Sequence, residues 1–509
     1  MNRYALFSVN ITDSLIDFAN MLSSLNWQII ATDKPYGILK QSGIKVISIA
    51  DFVRVDDDYG FPPTLHPRIE YALTSRDAKD RIELVYNVPY ELELGNDVGG
   101  HTLLALAVKG NRLPVVTYDD MREVVNMLAE CGEIPDDKRK ELISKASFQI
   151  VKHYCSILSI AQDDNYSAVV MHKRYRLLNG ENPYQAPADF MKTNSEDPLS
   201  LQKFSLVTDN IPCFTNMADI DCLIESFCKI ALAFYKNKNK MPFIAIAAKH
   251  GNPCGVGVDW IDPLISIKKA LWGNPLAIWG GEVVVNFPLT VEAANLFYAS
   301  AERMEKYKNA KWMLDIILAP AIEDMALKIL SQRKNTKIFI NSDLSTPALP
   351  LEKWNYRFVR GAALRQPAHT YILDLKDAVH LGGLLSEEEL DSVIIAWGCA
   401  FTSFHGGNEV AIASGGQLIG IGGGPSTVDA TETAIHRCLK YNHSITRAVF
   451  ATDAFFPFVD VPAILADAGC TAGISPSGGI NIKKVEEFFV KRGTKVIFLP
   501  EDIRGFCRH

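Results

Sequence analysis

The chain of 509 residues, with 48% hydrophobic and 22% charged side chains, is long enough to bury cores in two or more domains. A net charge of −7, with Lys and Arg scattered along the chain, excludes the continuous basic surface that nucleic-acid binding needs. No apolar run approaches the roughly 20 residues of a membrane span, and the start MNRYALFSVNITDSL has no signal-peptide pattern, so we expect a cytoplasmic protein without a membrane partner.

The ten cysteines are spread along the sequence, and none belongs to a C-x-x-C pair or to a Cys/His cluster at zinc-ligand spacing. We expect these thiols to be reduced and mostly buried, with neither disulfide bonds nor a metal site. The charged runs at residues 136–141 and 484–493 are typical of solvated helix faces.

The first 120 residues alternate short apolar runs with amphipathic segments, beginning with YALFSV and SLIDFANMLSSL. Such alternation predicts a parallel sheet with helices on both faces. A charged segment, GEIPDDKRKELISKASFQIVKHYCSILSIAQDDN, predicts a helix with an acidic, turn-prone edge at each end that closes this unit. We therefore expect one α/β domain over residues 1–165.

Residues 166–509 carry longer helical patterns, such as DIDCLIESFCKIALAFYKN, between strands and glycine-rich turns. They contain no repeat of fixed period and no low-complexity tract. A segment of this length is long enough for two α/β lobes rather than one.

The stretch AAKHGNPCG ends an apolar run at two titratable side chains. The run FIAIAA predicts a buried strand, and ligands of open α/β sheets bind beyond the carboxyl ends of the strands. Lys249 and His250 occupy that position, and we expect them at the rim of a parallel sheet. Asn252 and Pro253 predict a turn directly after them. The same residues are equally compatible with a strand end whose Lys and His only reach solvent.

Three further stretches each have a functional and a purely structural interpretation. GIGGGPSTVDA is a glycine-rich bend in which Ser426 or Thr427 begins a helix, and it either presents N–H groups to an anion or is a plain turn. TDAFFPFVD places three phenylalanines around Pro457, either as a slot for a flat heteroaromatic ring or as core packing. Asn408, in SFHGGNEV, either orients a reacting carbonyl or caps a turn.

Seven motifs, taken in order, resemble those of the bifunctional AICAR transformylase/IMP cyclohydrolase family of purine biosynthesis. They are NGENPYQ, KHGNPCG, IIAWGCAF followed by GGNEV, GIGGGPSTVDA, TDAFFPFVD, GISPSGG and the terminal IRGFCRH. The resemblance implies an α/β fold with an N-terminal methylglyoxal-synthase-like parallel-sheet domain at residues 1–165. It also implies a larger two-lobed, cytidine-deaminase-like α/β transformylase region at residues 166–509, and a homodimer with composite active sites.

The resemblance assigns the formyl-transfer centre to Lys249 and His250, with Asn408 as their helper. The acceptor, a small-molecule amine, must lose a proton as it attacks the formyl carbon of the co-substrate 10-formyltetrahydrofolate, while the carbonyl oxygen gains negative charge. We expect His250 to be the general base, Lys249 to stabilise charge and Asn408 to hold the tetrahedral intermediate. By the same resemblance, the folate side is formed by Phe455, Pro457, Phe458 and Asp460. The acceptor side is formed by Asn179, Gly180 and Arg504.

The sequence departs from the family where the acceptor's phosphate would bind. The family motif LRYGxNPHQ supplies an Arg and a Tyr to the phosphate, whereas this chain has Leu178 and Asn179 there, and Tyr184 in place of the motif's His. A bidentate phosphate clamp is thereby lost unless Arg174 or Arg176 replaces it. The acceptor is therefore either AICAR or a different amine.

The first domain departs further from the family. SVNITDS replaces SVSDKTG and ATDKPYG replaces the phosphate loop STGGT, which changes the phosphate-holding Lys, Thr and glycines to Thr12, Asp13, Asp33 and Pro35. Pro63 and Pro89 replace a Lys and a Tyr, while Asp97 and Lys109 are retained. Because carboxylates repel phosphate, we expect the cyclohydrolase activity to be lost.

Three functions are consistent with this sequence. The first is N-formylation of AICAR, or of a non-purine amine in specialised metabolism. The second is a catalytically silent relative that binds folate or a partner protein as a regulator, although retention of Lys249, His250, Asn408 and Asp460 argues against it. The third is a bifunctional purine enzyme with a rearranged cyclohydrolase site.

Overall fold

The structure, a computed structural model, describes residues 3–10, 13–55, 62–161, 163–376 and 378–505. Thr12, one of the departures in the first domain, lies outside the described residues. The chain divides into two compact units, residues 1–171 and 172–509. The boundary expected at residue 165 lies shortly before this division.

The first unit is built on a five-stranded parallel sheet. Its strands are β1 (Arg3–Val9), β2 (Trp27–Ala31), β3 (Val46–Ser48), β4 (Ile82–Val88) and β5 (Leu113–Val115). They lie in the order β3-β2-β1-β4-β5, and each pairing is parallel. The helices are α1 (Leu15–Ser24), α2 (Asp33–Gln41), α3 (Ile49–Val53), α4 (Pro67–Thr74), α5 (Val98–Lys109), α6 (Tyr118–Cys131) and α7 (Asp136–Ala161). The prediction of a parallel α/β sheet is confirmed.

Helices cover both faces of this sheet, which explains why its strands are apolar throughout. Along β1, Ala5 and Phe7 belong to a core shared with α1 and α6. Tyr4 and Leu6 belong to a second core shared with α4 and α5. Successive strand residues point to opposite faces, so a strand covered on both sides needs apolar residues at each position.

The charged start of α7 differs from the solvated face that its sequence predicts. Lys138 is buried, and its ammonium lies 2.6 Å from the Glu123 carboxylate and 3.2 Å from that of Glu141. The prediction is wrong at this position because carboxylates of α6 and α7 surround the lysine, including Asp120 at 3.7 Å.

The second unit contains a twelve-stranded mixed sheet and two separate two-stranded hairpins. Its strands are β6 (His172–Leu177), β7 (Ala188–Lys192), β8 (Ser205–Leu206), β9 (Phe243–Lys249), β10 (Asn252–Asp259), β11 (Glu282–Val285), β12 (Ile316–Ala319), β13 (Lys337–Ile340), β14 (Trp354–Val359), β15 (Ala362–Pro367), β16 (Val379–Leu381), β17 (Asn408–Ser414), β18 (Gln417–Gly424), β19 (Val449–Thr452), β20 (Ala472–Pro476) and β21 (Lys495–Leu499). Its helices are α8 (Phe214–Lys238), α9 (Pro263–Gly273), α10 (Val291–Tyr298), α11 (Ala301–Tyr307), α12 (Asp324–Leu330), α13 (Glu387–Thr402), α14 (Thr427–Lys440), α15 (Asp460–Ala468) and α16 (Ile482–Arg492).

The two predicted lobes share this one sheet. Its order is β16-β21-β20-β19-β17-β18-β10-β9-β11-β12-β13-β8, and the halves join where β10 pairs with β18. Helices α8 and α13 pack in one core that extends across both halves. On separate cores, α9, α10 and α12 pack against the β9–β13 half, while α14, α15 and α16 pack against the β17–β21 half.

The strand pairings place the candidate residues at one edge of this sheet. The pairings of β9 with β10 and β11 are antiparallel, as are those of β10 with β18 and of β17 with β18 and β19. The edge that carries Lys249 therefore also carries the amino ends of β10, β11 and β17 and the carboxyl ends of β18 to β21. We call it the Lys249 edge. The expectation that Lys249 ends a strand among parallel neighbours is wrong, since both neighbours of β9 run antiparallel to it.

Candidate active site

Lys249 and His250 lie at a tight hairpin turn between β9 and β10. Lys249 pairs with Asn252, and the two residues between them, His250 and Gly251, have φ angles of 53° and 69°. Positive φ at both central residues defines a type I′ turn, which suits the twist of paired strands. The turn thus lies earlier than predicted, at His250 and Gly251, and Asn252 and Pro253 begin β10 rather than form the turn.

Gly251 is required at this turn for two reasons. Its φ of 69° is one that side chains rarely adopt, and a Cβ added there would lie 2.6 Å from the Cβ of Cys222 and 3.5 Å from the Cα of Asp219. Both of these residues belong to α8. The turn therefore rests directly on the second and third turns of that helix.

The side chains of Lys249 and His250 are held differently. The Lys249 ammonium donates a 2.6 Å hydrogen bond to the backbone carbonyl of Gly280, and this side chain is half-buried. His250 is exposed at the tip of the turn. An ammonium has three N–H donors, so Lys249 keeps two of them for a ligand.

Three carboxyl groups that sequence reasoning missed lie near this turn. Glu282 begins β11 opposite Ala248 and is only 2% exposed. Burial, together with the neighbouring Asp219 carboxyl, raises the pKa of Glu282 to about 9. Burial also raises the pKa of Asp219, although its hydrogen bond to Glu282 and the charges of His250 and Lys249 act in the opposite direction. The signal in the sequence was Glu282 itself, a single carboxyl at the start of the apolar run VVV.

The third carboxylate, Asp315, is already paired. Its Oδ2 accepts a 2.8 Å hydrogen bond from the Asn216 amide, and its Oδ1 lies 2.9 Å from the Lys337 ammonium. This arrangement fixes the beginning of β12 and β13 beside the Lys249 edge. The charge of Asp315 is largely balanced by Lys337.

Asn408 lies on the same edge but away from Lys249. It begins β17, which is separated from β9 by β10 and β18, so three strand spacings give roughly 14 Å between the two strands. The Asn408 amide donates to the carbonyls of Gly424 and Pro425 at 3.4 and 3.2 Å. Its oxygen accepts a 3.3 Å hydrogen bond from Thr427. Within one chain, Asn408 therefore supports the β17–β18 end instead of touching the Lys249 turn.

The glycine-rich bend after β18 ends in a capped helix. The Ser426 hydroxyl accepts a hydrogen bond from the Asp429 N–H at 3.1 Å, so Ser426 and not Thr427 is the N-cap of α14.

The described residues contain no group of three or more His, Cys, Asp or Glu side chains arranged to hold a metal ion.

The four residues predicted for the folate side lie after β19. Phe455 is half-buried and packs against Gly478 and Gly479, whereas Pro457, Phe458 and Asp460 are exposed. The middle aromatic of this stretch, Phe456, is 1% exposed and belongs to the core. The stretch therefore combines both interpretations, with one phenylalanine in the core and two near the surface.

Arg504 joins this loop from the other end of the chain. Its guanidinium lies 4.8 Å from the centre of the Phe455 ring, and its Nη2 lies 3.2 Å from the Glu501 carboxylate. A residue predicted for the acceptor side and one predicted for the folate side thus form a cation–π pair. Both follow carboxyl ends of strands at the Lys249 edge.

The acidic pair Glu409 and Asp453 lies beneath the Asn408 end of the edge. The Asp453 carboxylate accepts a 2.9 Å hydrogen bond from the Glu409 N–H, and the Glu409 carboxylate lies 2.8 Å from His405 Nδ1. Burial, with the charge of Glu409, raises the pKa of Asp453 to about 7. This pair was not singled out from the sequence.

Asn179 and Gly180 follow β6 and contact the start of α8. The Asn179 carbonyl accepts a 3.0 Å hydrogen bond from the Phe214 N–H, the first residue of that helix. A Cβ on Gly180 would lie 2.6 Å from the Gln185 carbonyl oxygen, so the loop closes tightly on itself. These two residues therefore lie at the amino end of the helix that carries Asp219.

The arginines considered as replacements for the phosphate clamp are engaged elsewhere. Arg176 forms a 2.6 Å ion pair with Asp189, and Arg174 donates to the Gln202 carbonyl while lying 5.9 Å from the Tyr175 ring. Leu178 is 67% exposed and Tyr184 is 83% exposed. The loop thus presents an apolar and an aromatic side chain where the family has Arg and His.

In the first unit, the end of β2 runs directly into α2. Asp33 is the first residue of α2 and is exposed, Pro35 is its third residue and is buried, and Asp13 is exposed. A carboxylate in the first turn stabilises the helix but repels a phosphate, and Pro35 has no N–H to donate. This helix start is a poor phosphate site.

The two family residues retained in this unit, Asp97 and Lys109, make contacts that stabilise its structure. Asp97 caps α5 by accepting a 2.7 Å hydrogen bond from the Gly100 N–H. Lys109 forms a 3.3 Å ion pair with Glu70. Pro63 begins a short 3-10 turn, and Pro89 follows β4.

Two cavities in the second unit lie away from the Lys249 turn. One of about 560 Å³ is lined by residues of α14 and of the loop after α9, including His436, Arg437 and Lys440. The other, of about 430 Å³, is lined by Trp260, Asp391 and neighbouring residues. The candidate site residues line neither of these two cavities. None of the helices in the described ranges is long and apolar enough to cross a membrane.

Comparisons with known proteins agree with the family resemblance that the motifs carry. The model of the AICARFT/IMPCHase bienzyme family matches residues 111–437. A "Bifunctional purine biosynthesis protein PurH" from Persephonella marina is 25% identical, with 98% of both chains covered. The protein of the same name from Anoxybacillus flavithermus is 27% identical, covering 96% of this chain and 97% of its own. The "Crystal structure of ForH" aligns with 24% identity and a TM-score of 0.28 over 31% of this chain and 98% of that one, a likeness too low to carry an argument.

Proposed function

Since the chain belongs to the AICARFT/IMPCHase bienzyme family, we propose that it transfers the formyl group of 10-formyltetrahydrofolate to a small amine, either AICAR or an analogue. The observation that carries this proposal is the Lys249–His250 turn. A half-buried ammonium held at 2.6 Å from a carbonyl stands next to an exposed imidazole at one sheet edge. The other candidate loops lie along that same edge.

The reaction needs a proton acceptor and a stabiliser of negative charge. The amine loses a proton as its nitrogen attacks the formyl carbon, and the imidazole of His250 accepts that proton. The carbonyl oxygen gains negative charge, which the free N–H donors of the Lys249 ammonium stabilise. The tetrahedral intermediate then collapses, the bond to the folate nitrogen breaks, and that nitrogen takes up the proton that His250 accepted, which regenerates the neutral imidazole.

Asn408 acts in this proposal from a second subunit. Within one chain it lies three strands away from Lys249, at roughly 14 Å, which is too far for both to contact one carbonyl oxygen. A homodimer that places the β17 end of one protomer against the Lys249 turn of its partner completes the site. The position of Lys249 and Asn408 on the same sheet edge supports this arrangement.

We further propose that the cyclohydrolase reaction is lost. The start of α2 has Asp33 and Pro35 where a phosphate needs donors, and this is the observation that supports the proposal. Rescue of a purine-requiring strain that lacks the normal enzyme tests it, because growth requires both reactions. Rescue would contradict the loss.

The identity of the acceptor is tested by turnover. Purified protein is supplied with 10-formyltetrahydrofolate and with AICAR, its dephosphorylated nucleoside or other primary amines, and tetrahydrofolate release is measured together with the mass of the product. Because Leu178 replaces the phosphate-binding Arg, we expect little preference for AICAR over its nucleoside. AICAR turnover at an efficiency far above that of the nucleoside would exclude recruitment to another amine. Folate binding without any formylated product would favour a silent regulator.

A further inference from the structure

Two carboxyl side chains lie beneath the Lys249–His250 turn, and neither belongs to the motifs that identify the family. Glu282 is opposite Ala248 across the β9–β11 pairing, one residue before Lys249. Asp219 lies on α8, with its Cα 3.5 Å from the place where a Gly251 Cβ would lie. A strand and a helix thus bring the two carboxyls into hydrogen-bonding contact with each other.

The charges of Lys249 and His250 act on this carboxyl pair without forming an ion pair with it in the part of the chain that the structure describes. Among the described residues, no Lys or Arg forms an ion pair with either group, and the Lys249 ammonium is directed to the Gly280 carbonyl. No N–H or O–H donor in the described parts of the chain reaches Oε2 of Glu282, which is buried. Two ionised carboxylates in contact, one of them buried without a donor, would be strongly destabilising. One proton on Glu282 removes this cost, because the protonated group donates a hydrogen bond to Asp219.

We propose that Asp219 and Glu282 share one proton and present a single negative charge to Lys249 and His250, as positioning residues for the formyl transfer. This inference rests on the proposed function. When His250 takes the proton of the attacking amine, the charge on Asp219 stabilises the imidazolium that forms. Neutral Glu282 holds the Asp219 carboxylate in place. The proton stays on the pair throughout, so it adds no step to the reaction.

Other charged groups face the pair from two neighbouring segments. From β9 and its turn these are Lys249 and His250, and from the segment before β12 it is Asp315, whose charge is paired with Lys337 of β13. Burial and the Asp219 carboxyl together raise the pKa of Glu282 to about 9, which agrees with a proton held at neutral pH.

Infrared spectroscopy tests the shared proton without any assay of activity. We expect the full-length protein at pH 8, where Asp453 is ionised, to show the carbonyl stretch of a protonated, buried carboxyl group, and Glu282→Gln to lack it. The band should titrate near pH 9 in the wild type, and at lower pH in Asp219→Asn, since the neighbouring charge is gone. Asp221→Asn, an exposed carboxylate on the same helix, is the matched control and should leave the band unchanged. Absence of the band in the wild type, or its persistence in Glu282→Gln, would overturn the proposal.

Kinetics test the positioning role. Because Gln mimics the protonated acid, Glu282→Gln should keep kcat at pH 7 within about threefold of the wild type, whereas Asp219→Asn should lower it by roughly tenfold or more. In Glu282→Gln, any decline of kcat near pH 9 that comes from the second ionisation should disappear. A kcat and pH profile of Asp219→Asn that match the wild type would overturn the role. If the wild type formylates no amine, the proposed function fails while the infrared titration still decides whether the pair exists.

Discussion

The ammonium of Lys249 lies 2.6 Å from the backbone carbonyl oxygen of Gly280 and donates a hydrogen bond to it. This bond fixes the end of a flexible side chain and leaves two N–H donors for a ligand. Gly280 has a φ of 67°, and a Cβ there would lie 3.2 Å from the Lys249 nitrogen. A side chain at Gly280 would therefore crowd the Lys249 ammonium. This close packing indicates that the ammonium is held in one position and is not freely solvated.

Replacing Lys249 by Ala should abolish most of the activity with little effect on folding. Loss of one donor that stabilises a developing oxyanion lowers kcat by about 10²- to 10³-fold. The kcat of tetrahydrofolate release and the thermal midpoint are measured together. Lys328→Ala, which removes an exposed ammonium from α12, is the control and should match the wild type in both. A Lys249→Ala variant with more than a tenth of the wild-type kcat would contradict the assigned role.

Gly251→Ala should lower the free energy of unfolding of the second unit more than Gly361→Ala does. Gly361 has a similar φ of 72°, but a Cβ there would have nothing within 4 Å, whereas at Gly251 it would meet Cys222 at 2.6 Å. The left-handed conformation alone costs about 1–2 kcal/mol for Ala, and the clash adds a further ~1–3 kcal/mol. Urea denaturation of both variants measures the difference. Equal losses for Gly251→Ala and Gly361→Ala would show that α8 does not press against the turn.

Leu178→Arg should restore a preference for phosphorylated acceptors. Leu178 is 67% exposed beside the Asn179 loop, and the nearby arginines are engaged with Asp189 and Gln202, so a new guanidinium would be free to pair with a phosphate. We expect the KM for AICAR to fall by about tenfold, while the KM for its nucleoside stays constant. Leu178→Gln, which is polar without charge, is the control. A fall in both KM values, or in neither, would show that this loop is not where the phosphate binds.

Because of Asp453, the free energy of unfolding of the second unit should fall as the pH rises from about 4 to about 7. Its pKa is raised from 3.8 to about 7 by burial and by Glu409. In this interval the unfolded chain releases the proton of Asp453 while the folded protein keeps it, so the unfolded state is favoured by at most about 4 kcal/mol. Below pH 4 both states hold the proton, and above pH 7 neither does, so the contribution is constant outside the interval.

Asp453→Asn isolates this effect, because the amide does not titrate and its oxygen can still accept from the Glu409 N–H. Urea midpoints at pH 4.5 and pH 8 should differ less in this variant than in the wild type. Asp324→Asn, at an exposed position, should behave as the wild type does. An unchanged difference in Asp453→Asn would show that Asp453 ionises normally in the folded protein.

The sequence predicted the parts of this protein that depend on local pattern. Strand–helix alternation identified the parallel sheet of the first unit, because burial on both faces makes such strands apolar throughout. The motif order identified the family, and FIAIAA was correctly expected to be a buried strand ending at Lys249. The turn itself was displaced, since Asn-Pro dominates turn statistics, whereas the chain uses His250 and Gly251 in left-handed conformations.

What the sequence did not reveal depends on long-range pairing. The antiparallel pairing of β9 with β11 follows from how strands distant in the sequence assemble, and no local pattern specifies it. The carboxyl pair joins Asp219 to Glu282 across 63 positions, so neither residue alone suggested a role. Lys138 likewise has the sequence of a solvated residue, but its burial is set by carboxylates of another helix. The separation of Asn408 from Lys249 followed only from the strand order.

The most direct test of the central claim is transfer of an isotope-labelled formyl group under single-turnover conditions. Enzyme in excess over 10-[¹³C]formyltetrahydrofolate is mixed with the best acceptor, and the label is followed into the product by mass spectrometry, in the wild type and in His250→Ala. We expect stoichiometric transfer by the wild type and a rate at least about 100-fold lower in His250→Ala. Equal rates for the two proteins would contradict the assignment of this turn as the catalytic centre.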